Sequence, residues 1–276
     1  MEKSLNSILK TYGFNFKKAY GQNFLTDTAL LNDIVVNAGV TKDDVVLEIG
    51  CGAGALTKVL SKNAKKVIGY EIDQKLKPVL NDVLSDCDNV EILFNDVLKE
   101  KMSDLEKKLN SDYMVVANLP YYITTPIIMN FIENGKRVRS MSIMVQKEVA
   151  ERLTARAGDS EYGAITVGIN LRGSAKIIAD VPRTMFTPVP NVDSAVVKID
   201  IEKDKFSGVD FKKVREVVRI AFSSRRKMLV NNLMNGYKLS RAKVEEVLKL
   251  ADISLTVRGE ELSADDYVRL SKVINL

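Results

Sequence analysis

The chain has 276 residues, 46% of them hydrophobic and 28% charged, with 15 Gly and only 6 Pro, a globular composition sized for one large domain and a small one. It contains no histidine, which removes the commonest general base and metal ligand and argues against most hydrolase triads and zinc sites. The net charge of +5 is uneven: residues 203–276 carry 16 Lys and Arg against 10 Asp and Glu, and the rest carry 25 against 26. A basic tail on a near-neutral body suits either a nucleic-acid-facing appendage or a solvated helical surface. No apolar run reaches the length of a membrane span, the start MEKSLNSILK lacks a signal-peptide core, and the two cysteines, Cys51 and Cys87, fit a reduced cytoplasmic setting.

In chain order, Thr26 is placed to cap a helix with the apolar face Leu30, Leu31, Ile34, Val35 and Ala38, closed by Gly39. From residue 44 short apolar runs alternate with amphipathic ones. Val45–Ile49, Lys66–Tyr70, Val90–Phe94, Tyr113–Ala117 and Ser140–Val145 read as buried parallel strands, with helices at 54–63, 74–85, 98–109, 124–134 and 147–155. This alternation predicts a doubly wound α/β sheet. Residues 163–172 alternate like a strand but fit the topology better as a covering helix. Ile177–Val181 and Val192–Ile201 read as further strands joined by the loop Pro182–Asn191. After the polar linker 203–208, helices are expected at 210–222, 226–235, 240–250 and 264–274, with Ser240 and Ser263 as caps. The expected division is 1–203 as the α/β domain and 204–276 as a small all-helical one.

Four strand ends carry chemistry. The first strand runs into Gly50-Cys51-Gly52-Ala53-Gly54, a turn where a ligand can approach the backbone closely. Glu71 ends the next strand, about where a carboxylate grips a ribose diol. Gly50-x-Gly52-x-x-Ala55 also satisfies a relaxed dinucleotide pattern, so a nicotinamide enzyme is a rival at this point. Asp96, after Phe94-Asn95, either accepts from an adenine amino group or caps the next helix. The fourth end is Asn118-Leu119-Pro120-Tyr121-Tyr122. An adenine N6 is a poor nucleophile because its lone pair is delocalised into the ring. The amide oxygen of Asn118 and the carbonyl of Leu119 can each accept one N6–H bond and aim the lone pair at a sulfonium methyl donor. Pro120 fixes the loop, and Tyr121 offers a stacking face to an extruded base. A second loop, Phe186–Ser194, either brings Phe186 to the opposite face of that base or packs as plain structure.

Together with Gly21-Gln22-Asn23-Phe24-Leu25 and Phe222-Ser223-Ser224-Arg225-Arg226-Lys227, these motifs resemble the ribosomal RNA adenine dimethylase family, most closely its small-subunit branch, over roughly residues 16–276. The resemblance implies a Rossmann-like class I methyltransferase domain followed by a helical RNA- or ribosome-binding domain. It implies S-adenosylmethionine as cofactor, with contacts from Asn23, Leu25, Gly50, Gly52, Glu71, Asp96 and Asn118. Catalysis would fall to Asn118, Leu119, Pro120, Tyr121 and Phe186, and RNA binding to Arg219, Arg225, Arg226 and Lys227, with no metal. The implied reaction is N6,N6-dimethylation of two adjacent adenosines near the 3′ end of small-subunit (16S) ribosomal RNA, in the small subunit or its precursor, by a monomer. Tyr20 stands where relatives usually have Phe. The Cys-Gly-Ala-Gly turn replaces a proline-containing form, which would make cofactor binding sensitive to Cys51 oxidation. The alternatives are a large-subunit dimethylase conferring antibiotic resistance, whose members favour Ile at position 119, and a ribosome-assembly factor on the same fold.

Overall fold

The computed structural model describes residues 11–13, 23–120 and 123–274. Two strands of two residues, β1 (Phe24–Leu25) and β8 (Phe186–Thr187), form a small antiparallel ladder. The remaining strands make one seven-stranded sheet. They are β2 (Val45–Ile49), β3 (Lys66–Glu71), β4 (Val90–Phe94), β5 (Tyr113–Asn118), β6 (Val138–Gln146), β7 (Gly173–Val181) and β9 (Ser194–Ile201), in the order β4-β3-β2-β5-β6-β9-β7. The pairs β3–β4, β2–β3, β2–β5 and β5–β6 are parallel, whereas β9 runs antiparallel to β6. β2 is buried at every position, as a central strand covered on both faces requires. The chain first builds outward from β2 through β3 to β4, then crosses to the other side at β5. The neighbours β2 and β5 therefore diverge in connectivity, and their carboxyl ends open the crevice of a doubly wound sheet.

The helices follow from the same sequence logic, with local corrections. α1 (Thr28–Ala38) is capped by Asp27, whose side chain accepts from Leu30 N, and not by Thr26; Gly39 closes it at φ 80°. α2 (Ala55–Asn63) starts directly after the glycine turn. The helix expected over 98–109 is a short 3-10 turn, Val97–Lys99, followed by α4 (Met102–Leu109), and 74–85 divides likewise into Gln74–Leu76 and α3 (Lys77–Val83). α5 (Thr124–Asn134) and α6 (Lys147–Thr154) fall where expected, and the ambiguous segment at 163–172 is helical, as α7 (Ala164–Asn170). Burying Thr166, Val167 and Ile169, three neighbouring positions, suits a helix packed into a core better than a strand with one wet face.

Four helices follow: α8 (Phe211–Ala221), α9 (Leu229–Tyr237), α10 (Arg241–Leu250) and α11 (Ala264–Val273). Ser240 and Ser263 cap α10 and α11 through their hydroxyls. The chain forms two compact units, Met1–Ala150 with Lys176–Ile201, and Glu151–Ala175 with Glu202–Leu276. The sequence-based boundary at 203/204 lies two residues from the last break, at 201/202. It leaves out 151–175, which join the helical unit because Tyr162, Val167 and Leu171 are buried in one cluster with Val217, Leu233 and Tyr267. Among the described residues no helix is long and apolar enough to cross a membrane.

Candidate active site

At the end of β2 the backbone enters three left-handed glycines, Gly50 (φ 78°), Gly52 (φ 54°) and Gly54 (φ 85°). Gly50 N donates to Tyr70 O at 2.8 Å, tying the turn to β3. A side chain at Gly50 would meet the Asn118 carbonyl at 3.4 Å, and one at Gly52 would press to 2.9 Å from the Phe24 ring. With φ positive as well, both positions need glycine. Since Ile49 registers with Ala117, the turn after β2 and the loop after β5 face each other.

Glu71 closes β3 almost buried, at 6% exposure. Its Oε2 accepts from Gly52 N at 2.8 Å and its Oε1 from Asp73 N at 2.7 Å. Burial raises its carboxyl above the ordinary range, while these N–H donors pull it back. Each oxygen keeps acceptor capacity, so a vicinal diol remains within its chemistry. Asp96 is an N-cap: its Oδ1 accepts from Leu98 N at 3.0 Å and its Oδ2 lies 3.8 Å from Lys99 Nζ. The capping role is thus observed, and it leaves Asp96 on the cavity wall.

Asn118 ends β5, half-buried. Its Nδ2 donates to Asn23 O at 3.5 Å, so the amide oxygen is the arm left to accept from a ligand. Leu119 is buried, and the Pro120 carbonyl accepts from Ile123 N at 3.1 Å and Thr124 Oγ1 at 3.4 Å, turning the chain into α5. Tyr121, with Gly21, Gln22 and Tyr122, lies outside the described residues. Phe186 is not an exposed aromatic: it is 3% accessible, registers with Leu25 across the β1–β8 ladder and packs in a core cluster with Leu31, Val35 and Val196.

A cavity of about 500 Å³ gathers these ends. Its lining includes Asn23, Leu25, Gly50, Gly52, Glu71, Asp96 and Asn118, with Leu119, Pro120 and Phe186. Among the described residues its ionisable carboxyls are Glu48, Glu71 and Asp96, and no lysine or arginine lines it. Arg219, Arg225, Arg226 and Lys227 belong to the helical unit instead. All four are exposed, Arg219 on α8 and the others in the turn beyond it. Arg225 Nη2 donates to Ser160 O at 2.5 Å, so part of its guanidinium holds structure.

Sequence reasoning missed several wall residues. Ile72 and Leu98 are apolar yet 52% and 40% exposed, and both line the cavity just beyond Glu71 and Asp96. An apolar residue shortly after a strand-terminal acid is a signal that could have found them. Glu48, an acid inside the apolar strand Val-Val-Leu-Glu-Ile, was equally visible. Asn232 was not: it is 2% exposed, and its Nδ2 donates to Ala221 O at 2.7 Å and Ser224 O at 3.0 Å, pinning the turn that carries Arg225–Lys227. The expected oxidation sensitivity of Cys51 is not supported. The thiol is buried, and burial pushes it well above its ordinary range, so the reactive thiolate is suppressed.

Comparison with known proteins agrees with this architecture. The family described as ribosomal RNA adenine dimethylase matches residues 13–276. The chain is 46% identical over 277 residues to a ribosomal RNA small subunit methyltransferase A of Bacillus pumilus, covering 97% of this chain and 94% of the relative. A protein of the same description from Geobacillus thermodenitrificans is 44% identical over 274 residues, with 97% and 94% covered. Among solved structures, a dimethyladenosine transferase from Plasmodium falciparum superposes with a TM-score of 0.77 at 28% identity, covering 90% of this chain and 95% of that one. The 23S rRNA methyltransferase ErmE gives 0.71 at 26% identity, covering 91% and 98%. The fold is that of a class I RNA methyltransferase with a helical C-terminal region, and the chain belongs to the ribosomal RNA adenine dimethylase family.

Proposed function

We propose that the chain transfers methyl groups from S-adenosylmethionine to the N6 amines of two adjacent adenosines near the 3′ end of small-subunit (16S) ribosomal RNA, within the small subunit or a precursor of it. The observation that carries the reading is the juxtaposition of Asn118 with the Gly50 turn in a carboxyl-lined cavity. A cationic cofactor suits such walls. A dinucleotide would bring an anionic diphosphate to three carboxyls and, among the described residues, no lysine or arginine, which disfavours the nicotinamide alternative. When bound, the cofactor supplies an electrophilic sulfonium methyl. The chain's own residues would then do the positioning. Glu71 offers acceptors for a ribose diol, Ile72 and Leu98 an apolar slot for a flat ring, and the glycine turn close backbone approach. Asn23, Leu25, Gly52 and Asp96 complete that cofactor set.

At the target, Asn118 Oδ1 would accept one N6–H bond and hold the amine with its lone pair forward, an interaction that strengthens as charge develops on nitrogen. Leu119 and Pro120 fix the loop, and Tyr121 is assigned a stacking face on sequence grounds. Phe186, being buried, would present an edge of its ring and not a free face. No side chain need act as a strong base, since the proton can leave after transfer. Arg219, Arg225, Arg226 and Lys227 would engage phosphates and so position the RNA without reading its sequence.

The small-subunit branch is favoured because relatives at 42–46% identity carry that description, against 26% for the large-subunit enzyme ErmE. Leu119 points the same way. The reading includes a cytoplasmic monomer, and an assembly role can coexist with catalysis. The test is to incubate the protein with labelled S-adenosylmethionine and undermethylated small and large subunits, and map the products by mass spectrometry. Dimethyladenosine at paired small-subunit positions is expected; label on large-subunit RNA alone would move the protein to the resistance branch.

A further inference from the structure

The loop that carries Phe186 also walls a second cleft, of about 380 Å³, lined by Gln146, Lys147, Glu148, Arg183, Asn191 and Val192 together with Asp193. That volume falls at the lower end of the range usual for small-molecule sites, about 300–1,000 Å³. None of these residues has a part in the chemistry assigned above.

The place of the cleft follows from strand register. Met144 of β6 pairs with Asn118 at the end of β5, and Gln146, two residues on, ends β6. Side chains two apart on a strand share a face, so Gln146 stands on the sheet face that carries Asn118, one strand across and about 7 Å further along. Phe186 is buried in one cluster with Met144 and its partner Val196, and it also lines the first cavity. The two cavities are therefore neighbours along one loop. Asp193 fixes the walls: its Oδ1 accepts from Arg183 N at 2.9 Å and its carbonyl from Lys147 N at 3.0 Å, tying both ends of the loop to the start of α6.

The side chains around it are of mixed chemistry. Arg183 is exposed and has no ion pair among the described residues. Lys147 Nζ lies 3.6 Å from Asp180 Oδ1, a pair exposed on both sides and so readily exchanged. Gln146 and Asn191 each bring an amide donor and acceptor, Glu148 brings a carboxylate, and Val192, 43% exposed, an apolar contact. Two cations offset by Glu148 and Asp193 make a poor trap for a bare anion. One phosphate flanked by donor and acceptor edges, the make-up of a nucleotide, matches the cleft.

We propose that this cleft seats the nucleotide next to the target adenosine, with Arg183 and Lys147 on its phosphate and Gln146 and Asn191 on its base edge. The proposal rests on the reading of the first cavity as the site of methyl transfer to RNA. Seating the neighbour while the target base enters beside Asn118 fixes which adenosine of an adjacent pair is presented; moving the strand by one nucleotide presents the other. The phosphate contacts set the register, and the amide contacts add a preference for what flanks the target.

The test uses the full chain, undermethylated small subunits and a variant with Val192 replaced by the photoreactive p-benzoylphenylalanine. Irradiation and primer extension should place the cross-link on a nucleotide immediately beside the methylated adenosines. Arg183→Ala should lower the log–log salt slope of subunit binding by about one, with cofactor Kd unchanged, and Arg183→Lys should restore the slope. Gln146→Ala alters no charge, so it should keep the wild-type slope and change the ratio of label on the two adenosines in a single turnover. A merely structural role would not sort these effects by charge. Cross-links confined to other parts of the RNA, a slope that Arg183→Ala leaves unchanged or Arg183→Lys does not restore, or a label ratio that Gln146→Ala leaves unchanged would overturn the proposal while wild-type methylation stands. Failure of wild type to methylate small-subunit RNA would overturn the reading on which it rests.

Discussion

Replacing Gly69 by Ala tests whether the glycine turn is held by the packing beneath it. Gly69 lies in the middle of β3, registered with Glu48. A Cβ there would sit 2.4 Å from Cys51 Sγ and 2.7 Å from Ile92 Cδ1. The Ile92 methyl is the end of a flexible chain and can swing away. Cys51 cannot, because it is buried between Gly50 and Gly52 and its thiol contacts Tyr70 O at 3.6 Å. Relief must therefore come from movement of the turn itself. Overpacking of this kind costs about 1–3 kcal/mol, and the displaced turn should weaken cofactor binding as well. Removing the sulfur should cure most of it, since Cys51 Cβ lies 3.9 Å from the new methyl, an ordinary contact. The expected coupling in the cycle Gly69→Ala, Cys51→Ala and the double variant is at least about 1 kcal/mol, with Cys51→Ala partly restoring both stability and affinity. Urea denaturation and cofactor titration of the four proteins measure it. Additive effects within about 0.5 kcal/mol would refute the packing argument.

Asn118→Ala should lower kcat by about a hundredfold, corresponding to roughly 3 kcal/mol of lost transition-state interaction, with cofactor Kd little changed; single-turnover kinetics at wild-type rate would remove Asn118 from the mechanism. Phe186→Ala should now cost about 3 kcal/mol of stability because the ring is buried. Phe186→Leu keeps most of that burial, so an unchanged KM for RNA in this variant would make the residue purely structural. Arg226→Ala should flatten the log–log salt dependence of RNA affinity by about one unit, and Arg225→Ala should in addition loosen the Ser160 contact. Asn232→Ala, which leaves the Ala221 and Ser224 carbonyls without their donor, should weaken RNA binding with cofactor affinity intact; equal loss of both would mean general unfolding.

The elements of the α/β body were legible in the sequence because buried parallel strands are short apolar runs and their covering helices are amphipathic. Val45–Ile49 and Val90–Phe94 match the structure residue for residue. The ends of those strands were legible too, since glycines, Glu71, Asp96 and Asn118 interrupt apolar runs where only a turn or a ligand explains them. Tertiary structure decided what local pattern could not. Thr26 and Asp27 are both competent caps, and only the helix geometry selects Asp27. Asp96 read as cap or ligand acceptor, and its bond to Leu98 N shows the cap without using up the carboxylate. Phe186, close to two prolines in a loop, looked equally suited to surface or core, and pairing with Leu25 buried it. Residues 151–175 carry no compositional break, so their membership in the helical unit appears only once Tyr162, Val167 and Leu171 meet α8–α11. The environment of Glu48 belongs to the same class: sequence places a carboxyl on a strand, but its burial, which raises that carboxyl to about 8, is a property of the folded surroundings.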